Sequence, residues 1–397
     1  MHLGYDGDVE AFRAELLEWL GRNPPPTEDG SRQFSSGAMP PGGGEWQRRL
    51  FNAGWLVPGW PPELGGRRAT PRQQMAYFEE FDRLGIRRTY NPQGLSIVAP
   101  SILEFGDEAQ RRQWVLPTLR AEVTWCLGLS EPNAGSDLAG LATRAELDGD
   151  HFVINGEKVW TSGAGDAEYC WCFVRTDPAV PKHQGISCII VPMRQPGVQF
   201  RPLAPLTDKD HADFGQVYFT NVTAPAENLV GGLNNGWRVS MGQLAHERGL
   251  LWMHFVTAVE KNFEHLVALG SHAGPGGTDL RQDARFRDQV GRFYVEALAL
   301  RCMGYRGFTS FARGEPSPVQ QLMKVASAEV GQRLLLAMLE ALGIEAMEPW
   351  EGGRFGMFGA GTWALEYLAS FHDTIGGGTS EIQRNIIARR VLGLPGR

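Results

Sequence analysis

The chain is poor in the residues that build disulfide staples, zinc clusters, membrane spans and nucleic-acid faces. Its 397 residues include five cysteines, Cys126, Cys170, Cys172, Cys188 and Cys302, and no two of them form a CxxC pair. An odd, scattered set argues against a disulfide framework or a zinc site and suits a reducing compartment. Cys170 and Cys172 would share one face of a strand, where two small buried hydrophobes are a better reading than a metal role. The most apolar stretch, Leu334 to Ile344, is broken by Glu340 and too short to span a bilayer, so no membrane insertion is expected. Met1 to Glu10 is polar and acidic, which predicts no secretory signal and a cytoplasmic protein. Positive charge is also short, at 38 Lys and Arg against 45 Asp and Glu, for a net charge of -7. That balance removes nucleic acid as a partner, and an anionic ligand would have to meet local positive charge instead. There is no internal repeat and no low-complexity tail.

Glycine is abundant, 50 of 397 residues, against a typical share of roughly 7%. The length suits two or three domains, and the pattern changes twice along the chain. Up to about Ala121 it reads as helical: Val9, Phe12, Leu16, Leu17 and Leu20 recur at helical spacing before the prolines at 24–26. A second helix is expected after Thr70-Pro71, with Thr70 as N-cap. From about Val123 to Asn235 the chain reads as strands. Asn155-Gly156, inside Phe152 to Trp160, predicts a hairpin with a type I′ turn. Ile186 to Val191, Val198 to Leu203 and Val217 to Phe219 read as further strands. Helices return after Trp237, with Phe286, Val290, Phe293, Ala297 and Leu300 on one stripe. Others are expected over 320–344 and 380–392, with glycine-rich linkers near Gly274 and Gly352. The expected fold is α+β, with an N-terminal helical domain (1–121), a middle β-barrel or sandwich domain (122–235) and a C-terminal four-helix-bundle domain (236–397).

The most informative stretch is Leu127-Gly128-Leu129-Ser130-Glu131-Pro132-Asn133-Ala134-Gly135-Ser136-Asp137. Downstream follow Asn155-Gly156-Glu157-Lys158 with Trp160-Thr161-Ser162, then Gly378-Thr379-Ser380-Glu381-Ile382-Gln383-Arg384 and Ala388-Arg389. In order and spacing these blocks resemble the acyl-CoA dehydrogenase family from about Phe51 to Leu394, and the α-β-α plan agrees with that family's fold. The resemblance implies FAD as cofactor, an acyl-CoA thioester as substrate and an electron-transfer flavoprotein as electron acceptor. It also implies an oligomer, either a homodimer or homotetramer or a heteromer with a related subunit. The chemistry is consistent, because no protein side chain accepts a hydride and a flavin does.

The resemblance also assigns roles residue by residue. Leu127, Leu129 and Ser130 would line the flavin ring, Trp160 would pack on it with Thr161 also at the cofactor, and Ser162 would hydrogen-bond near N5. Ser136 would lie near the pyrophosphate and the pantetheine arm. Thr379, Ser380 and Glu381, at a helix start, would meet the phosphates or the adenosine half. Taken singly, Trp160 reads as a core aromatic, Ser130 and Ser162 as turn hydroxyls, and Thr379-Ser380 as a helix cap. Their joint register carries the functional reading.

In many relatives the catalytic glutamate precedes Gly-Thr near the C-terminus; here that position is Gly377. Isovaleryl- and long-chain-type relatives place the base on an earlier helix, directly before an arginine, which matches Glu247-Arg248. Leu244, Glu247 and Leu251 share one helical face, and an apolar setting raises a carboxylate toward the range a base needs. The competing reading is a surface Glu–Arg pair. His246 points elsewhere on the helix and is read as structural. Leu244, Arg248, Gly377 and Gly378 would meet the substrate, Gly377 through the backbone N–H that polarises the thioester carbonyl. Three adjacent glycines leave room for a bulky, branched or steroid-derived acyl group.

Two family blocks are missing. No Arg-then-Phe pair appears near Ser271 to Gly277, and no Gln-x-x-Gly-Gly-x-Gly appears between Leu339 and Gly353. Both normally grip the adenine half of FAD across a subunit interface. Two alternatives therefore stand beside the dehydrogenase: a non-catalytic or half-site subunit of a heteromer, and an oxygen-using oxidase on the same scaffold.

Overall fold

The computed structural model describes residues 6–26, 35–208, 212–246, 251–313, 315, 317–349 and 361–395. They fall into two compact units, Met1–Pro205 with Lys209–Glu247, and Leu206–Asp208 with Arg248–Arg397.

The first unit begins with α1 (Gly7–Arg22), which buries Val9, Phe12, Leu16 and Leu20 on one stripe and ends before the prolines. After α2 (Gly43–Asn52) comes α3 (Pro71–Leu84). Thr70 and Gln73 form a reciprocal capping box, Pro71 takes the first helical position, and left-handed Gly85 closes the far end. A π-helical turn (Gly94–Val98) then runs into α4 (Ala99–Phe105). Two short helices, α5 (Glu108–Gln110) and α6 (Leu116–Leu119), complete the helical part.

Glu80 on α3 is 1% exposed. It accepts from Arg13 Nε (2.6 Å) on α1 and from Arg83 on α3. Burial pushes its carboxyl up, but hydrogen bonds from Arg83 and Arg13 outweigh this and hold it below the usual range. A depressed carboxylate stabilises the fold above its unfolded pKa, and that stability is lost as pH falls through the folded value. Urea denaturation at decreasing pH is therefore expected to show a falling midpoint below the ordinary glutamate range. In Glu80→Gln that slope should flatten, at a neutral-pH cost of about 1–2 kcal/mol because both arginines keep access to water. An unchanged acid limb would contradict this.

The described residues in the middle of the chain form eight strands: β1 (Trp125–Gly128), β2 (Arg144–Asp148), β3 (His151–Ser162), β4 (Tyr169–Arg175), β5 (Ile186–Pro192), β6 (Val198–Pro202), β7 (Phe214–Pro225) and β8 (Leu229–Val230). They pair in the order β6-β7-β3-β2-β4-β5-β8, with β1 parallel to β4. One sheet face shares a core with the helices, including Trp46, Trp55, Tyr77, Trp125, Trp171 and Phe173. The other covers a second core of Cys126, Phe152, Ile154, Cys170, Cys172, Ile189, Val217 and Phe219.

The expected hairpin at Asn155-Gly156 is not there. β3 runs straight through those residues, and the turn lies upstream between β2 and β3, where Gly149 has φ +63°. Asn155-Gly156 instead marks a register irregularity against β7. Glycine is needed at 156 because a Cβ there would sit 2.6 Å from Thr143 Cα, so the residue serves close backbone approach within a strand.

The unit ends with α7 (Gly236–His246), beginning beside Asn235 as the sequence suggests. Its Gln243 accepts a 3.0 Å bond from Trp171 Nε1.

Among its described residues the second unit holds three long helices, α8 (Leu251–Leu269), α9 (Ala284–Ala312) and α10 (Val319–Leu342). On α9, Phe286, Phe293, Ala297 and Leu300 are buried and Asp283 caps the first turn. Three short helices, α11 (Trp363–Ala369), α12 (Phe371–Ile375) and α13 (Ser380–Ile386), pack on α10, and a π-helical turn (Ile387–Val391) extends the last. The segment near Gly274 is a turn around Pro275–Gly277, and the one near Gly352 lies outside the described residues. Among the described residues no helix is long and apolar enough to cross a membrane.

Candidate functional site

The strand that carries Leu127 is held from several directions. On one side β1 pairs with β4. At Trp125 the amide of Asn91 does what a neighbouring strand would: Trp125 N donates to Asn91 Oδ1 (2.9 Å) and Asn91 Nδ2 donates to Trp125 O (2.8 Å). Asn91 Nδ2 also reaches Ser36 O at 2.6 Å, and Ser36 donates from N and Oγ to the Asp213 carboxylate. Gly94 makes room for this, since a Cβ there would lie 2.5 Å from Asn91 Oδ1. Nothing in the sequence pattern marked Asn91, because a buried asparagine in a helical region looks like any loop residue.

Beyond β1 the chain passes Leu129 and Ser130, both half-buried, and turns at Glu131, whose N–H and C=O bond Ala134 at 3.0 Å each. Glu131 is buried and meets Lys158 Nζ at 2.8 Å. It also accepts from the N–H groups of Ala142 (2.6 Å) and Thr143 (3.0 Å). Burial pushes its carboxyl up, but the Lys158 ammonium and these donors hold it below the usual range. Ser136, further along the turn, is exposed.

Two residues after Lys158 stands Trp160, 64% exposed with φ +60°. The β3–β7 register shifts between Lys158 and Thr161, so Trp160 sits in a bulge. A left-handed conformation costs a non-glycine residue about 1–2 kcal/mol, and such strain persists where the surroundings impose it. The indole tilts against Phe214 with ring centroids 5.6 Å apart. This reverses the reading of Trp160 as a core aromatic: the fold holds a large apolar ring in solvent. Thr161 is fully buried and its Oγ1 has no hydrogen-bond partner among the described residues, while Ser162 is half-buried. A presented aromatic face beside an unpaired buried hydroxyl fits a flat, polar-edged cofactor.

Behind Gly128 lie the thiols of Cys170 and Cys172, which would stand 2.8 and 3.0 Å from a Cβ at that position. The hydrogen bond with Cys126 pushes Cys170 well above the usual thiol range, that with Cys170 does the same to Cys172, and burial adds to both. They are packing groups rather than nucleophiles. Gly128→Ala is expected to lower stability by about 1–3 kcal/mol through overpacking, with Cys170→Ala in the same chain recovering most of it. Thermal unfolding of the single and double variants checks this; an additive double variant would count against it.

In the second unit, Gly377 and Gly378 have φ +66° and +94°, and a Cβ on Gly377 would meet nothing within 4 Å. Their carbonyls are taken: Gln383 Nε2 donates to Gly377 O (3.3 Å), and Lys324 Nζ donates to Gly378 O (2.9 Å) and Asp373 O (2.7 Å). Burial lowers the Lys324 pKa. Thr379 caps α13 by accepting from Ile382 N, Ser380 Oγ is buried with no partner among the described residues, and Glu381 is exposed. Leu244 falls within α7, whereas Glu247 and Arg248 lie outside the described residues. The structure thus brings together Leu127, Leu129, Ser130, Trp160, Thr161 and Ser162 in one unit, and Gly377 to Glu381 in the other.

Comparison with known proteins gives three matches that together span the chain. Residues 8–122, 126–222 and 234–392 match the N-terminal, middle and C-terminal domains of acyl-CoA dehydrogenase. The acyl-CoA dehydrogenase IpdE1 of Mycobacterium tuberculosis is 36% identical over 98% of this chain and 98% of its own. The crystal structure of the ChsE4-ChsE5 complex from Mycobacterium tuberculosis matches at 30% identity and a TM-score of 0.82, covering 100% of both chains. A structure titled Tcur3481-Tcur3483 steroid ACAD matches at 28% identity and a TM-score of 0.82, again over 100% of both chains.

Proposed function

The chain belongs to the acyl-CoA dehydrogenase family, and from that premise we propose that it oxidises a bulky acyl-CoA thioester to the trans-2-enoyl-CoA. As a family member it is an FAD-dependent oxidoreductase. FAD, when bound, supplies the acceptor for the β-hydride, which no protein side chain can be. The chain's own residues do the rest. Glu247 takes the α-proton, and the backbone N–H at Gly377 donates to the thioester carbonyl as enolate-like charge develops. Leu127, Leu129, Ser130, Trp160, Thr161 and Ser162 hold the flavin ring, and Thr379, Ser380 and Glu381 its phosphates or adenosine half. Ser136, Leu244, Arg248 and Gly378 bind the substrate. Electrons leave to an electron-transfer flavoprotein, and the three functional regions are 1–121, 122–235 and 236–397.

The observation that carries this reading is Trp160, an exposed indole held at φ +60° in a strand bulge beside the unpaired Thr161 hydroxyl. A steroid-derived or similarly bulky acyl group is supported by the open space at Gly377 and by the likeness to a steroid ACAD. Assembly with a related subunit is supported by the two missing adenine-gripping blocks and by a neighbour solved as a complex.

The test is a visible spectrum followed by anaerobic titration with a panel of acyl-CoAs. A yellow protein bleached by polycyclic or branched thioesters supports the reading. A chain that gains flavin only with a second, related chain supports the heteromer. A chain that takes up no flavin in either setting rejects the flavin site proposed for it.

A further inference from the structure

We propose that the buried Lys158 ammonium is a positioning residue that locks the Leu129–Ser130 backbone to β3 and so presents Trp160 to the cofactor. The inference rests on the flavin reading above and assigns that site a part that contacts neither flavin nor substrate. Lys158 is 0% exposed. Its Nζ lies 2.8 Å from Glu131 Oε1 and 3.2 Å from the carbonyl oxygen of Leu129. The next residue donates to the next carbonyl, Val159 N to Ser130 O at 2.9 Å. Two consecutive residues of β3 thus hold two consecutive carbonyls of the chain leaving β1.

Glu131 is fixed in turn by the N–H groups of Ala142 and Thr143, and Thr143 Oγ1 donates to Glu157 O at 3.2 Å. Residues 129–131, 142–143 and 157–159 are therefore stapled at one point. Directly beyond the staple the chain adopts the left-handed conformation of Trp160 and the β3–β7 register slips. A buried ion pair seldom adds net stability over an apolar pair of equal volume, so stability alone does not account for a lysine here. What an apolar side chain cannot do is grip the Leu129 carbonyl.

The test separates the ammonium from the charge pair. Glu131→Gln keeps the Lys158 donor at Leu129, whereas Lys158→Met/Glu131→Gln removes it and leaves no lone charge. Both are prepared with 5-fluorotryptophan, the Trp160 fluorine line being assigned through Trp160→Phe. In the flavin-free double variant the Trp160 line should move by more than its width while the other lines stay. In the holo-protein, with its partner subunit where one is needed, flavin Kd should weaken about tenfold or more in the double variant and under about threefold in Glu131→Gln. A double variant with an unmoved Trp160 line and native Kd overturns the proposal, as does a Glu131→Gln variant that loses flavin equally. Should the double variant fail to fold, Lys158→Gln, which lacks the ammonium's reach, is read in the same two assays. If the wild-type chain holds no flavin either alone or with a related subunit the proposed function fails, and the fluorine line still decides whether Lys158 sets Trp160.

Discussion

Glu247→Gln is expected to slow anaerobic flavin bleaching by acyl-CoA by about 10²–10⁴-fold, the usual weight of a general base, while flavin content and acyl-CoA affinity stay within a few-fold. The amide keeps the shape of the side chain and removes its basicity, so binding survives and proton removal does not. Stopped-flow bleaching separates the two, since a variant that loses kcat without losing KM has lost an interaction made only in the transition state. The choice of Glu247 rests on the family register, because it lies outside the described residues. It also rests on the position many relatives use, which here is Gly377, a residue with no side chain to take a proton. A variant that bleaches at the native rate would remove Glu247 from the mechanism. A native protein that binds flavin yet is bleached by no thioester would favour the half-site subunit instead.

The elements that sequence alone made legible are those whose signals are local. The α1 and α9 stripes follow from 3.6-residue periodicity, and the α3 start follows from Thr70 and Pro71 side by side. Asn155-Gly156 misled because its dipeptide signal is local too. Whether such a pair turns or bulges is decided by what lies across the sheet, and across from it stands Thr143 with no space for a Cβ. The family blocks assign roles to residues 127–130 and 160–162 on either side of Glu131 and Lys158, yet they give Lys158 and Glu131 no task. Their bonds span 27 and 29 positions, and a buried lysine has the same letter as a surface one. Trp160 is the opposite case: composition favours a core aromatic, and the structure shows a ring 64% exposed on a backbone at φ +60°.

Asn91→Leu is expected to destabilise the first unit by about 3–5 kcal/mol, although leucine keeps the branched shape and the number of heavy atoms. Asn91 is 2% exposed and Trp125 is 0% exposed, so water cannot replace what the amide provides. The substitution strands the N–H and C=O of Trp125 and the carbonyl of Ser36, three backbone groups that bond Asn91 at 2.6–2.9 Å. Each of the two buried Trp125 groups left unpaired costs about 1–3 kcal/mol and the half-buried Ser36 carbonyl less, so the sum after partial relaxation is about 3–5 kcal/mol. Native-state hydrogen exchange at the Trp125 amide reads the effect directly, because that proton is bonded to the side chain being removed. Urea denaturation gives the loss for the whole unit. A cost below about 1 kcal/mol would mean that neighbouring groups rescue the strand, and Asn91 would then be dispensable. If the full cost appears, flavin retention should fall with it, since β1 carries Leu127 into the segment that Lys158 grips two residues later. Asn91 and Lys158 would then act on the same strand from opposite ends: one fixes where it enters the site, the other where it leaves.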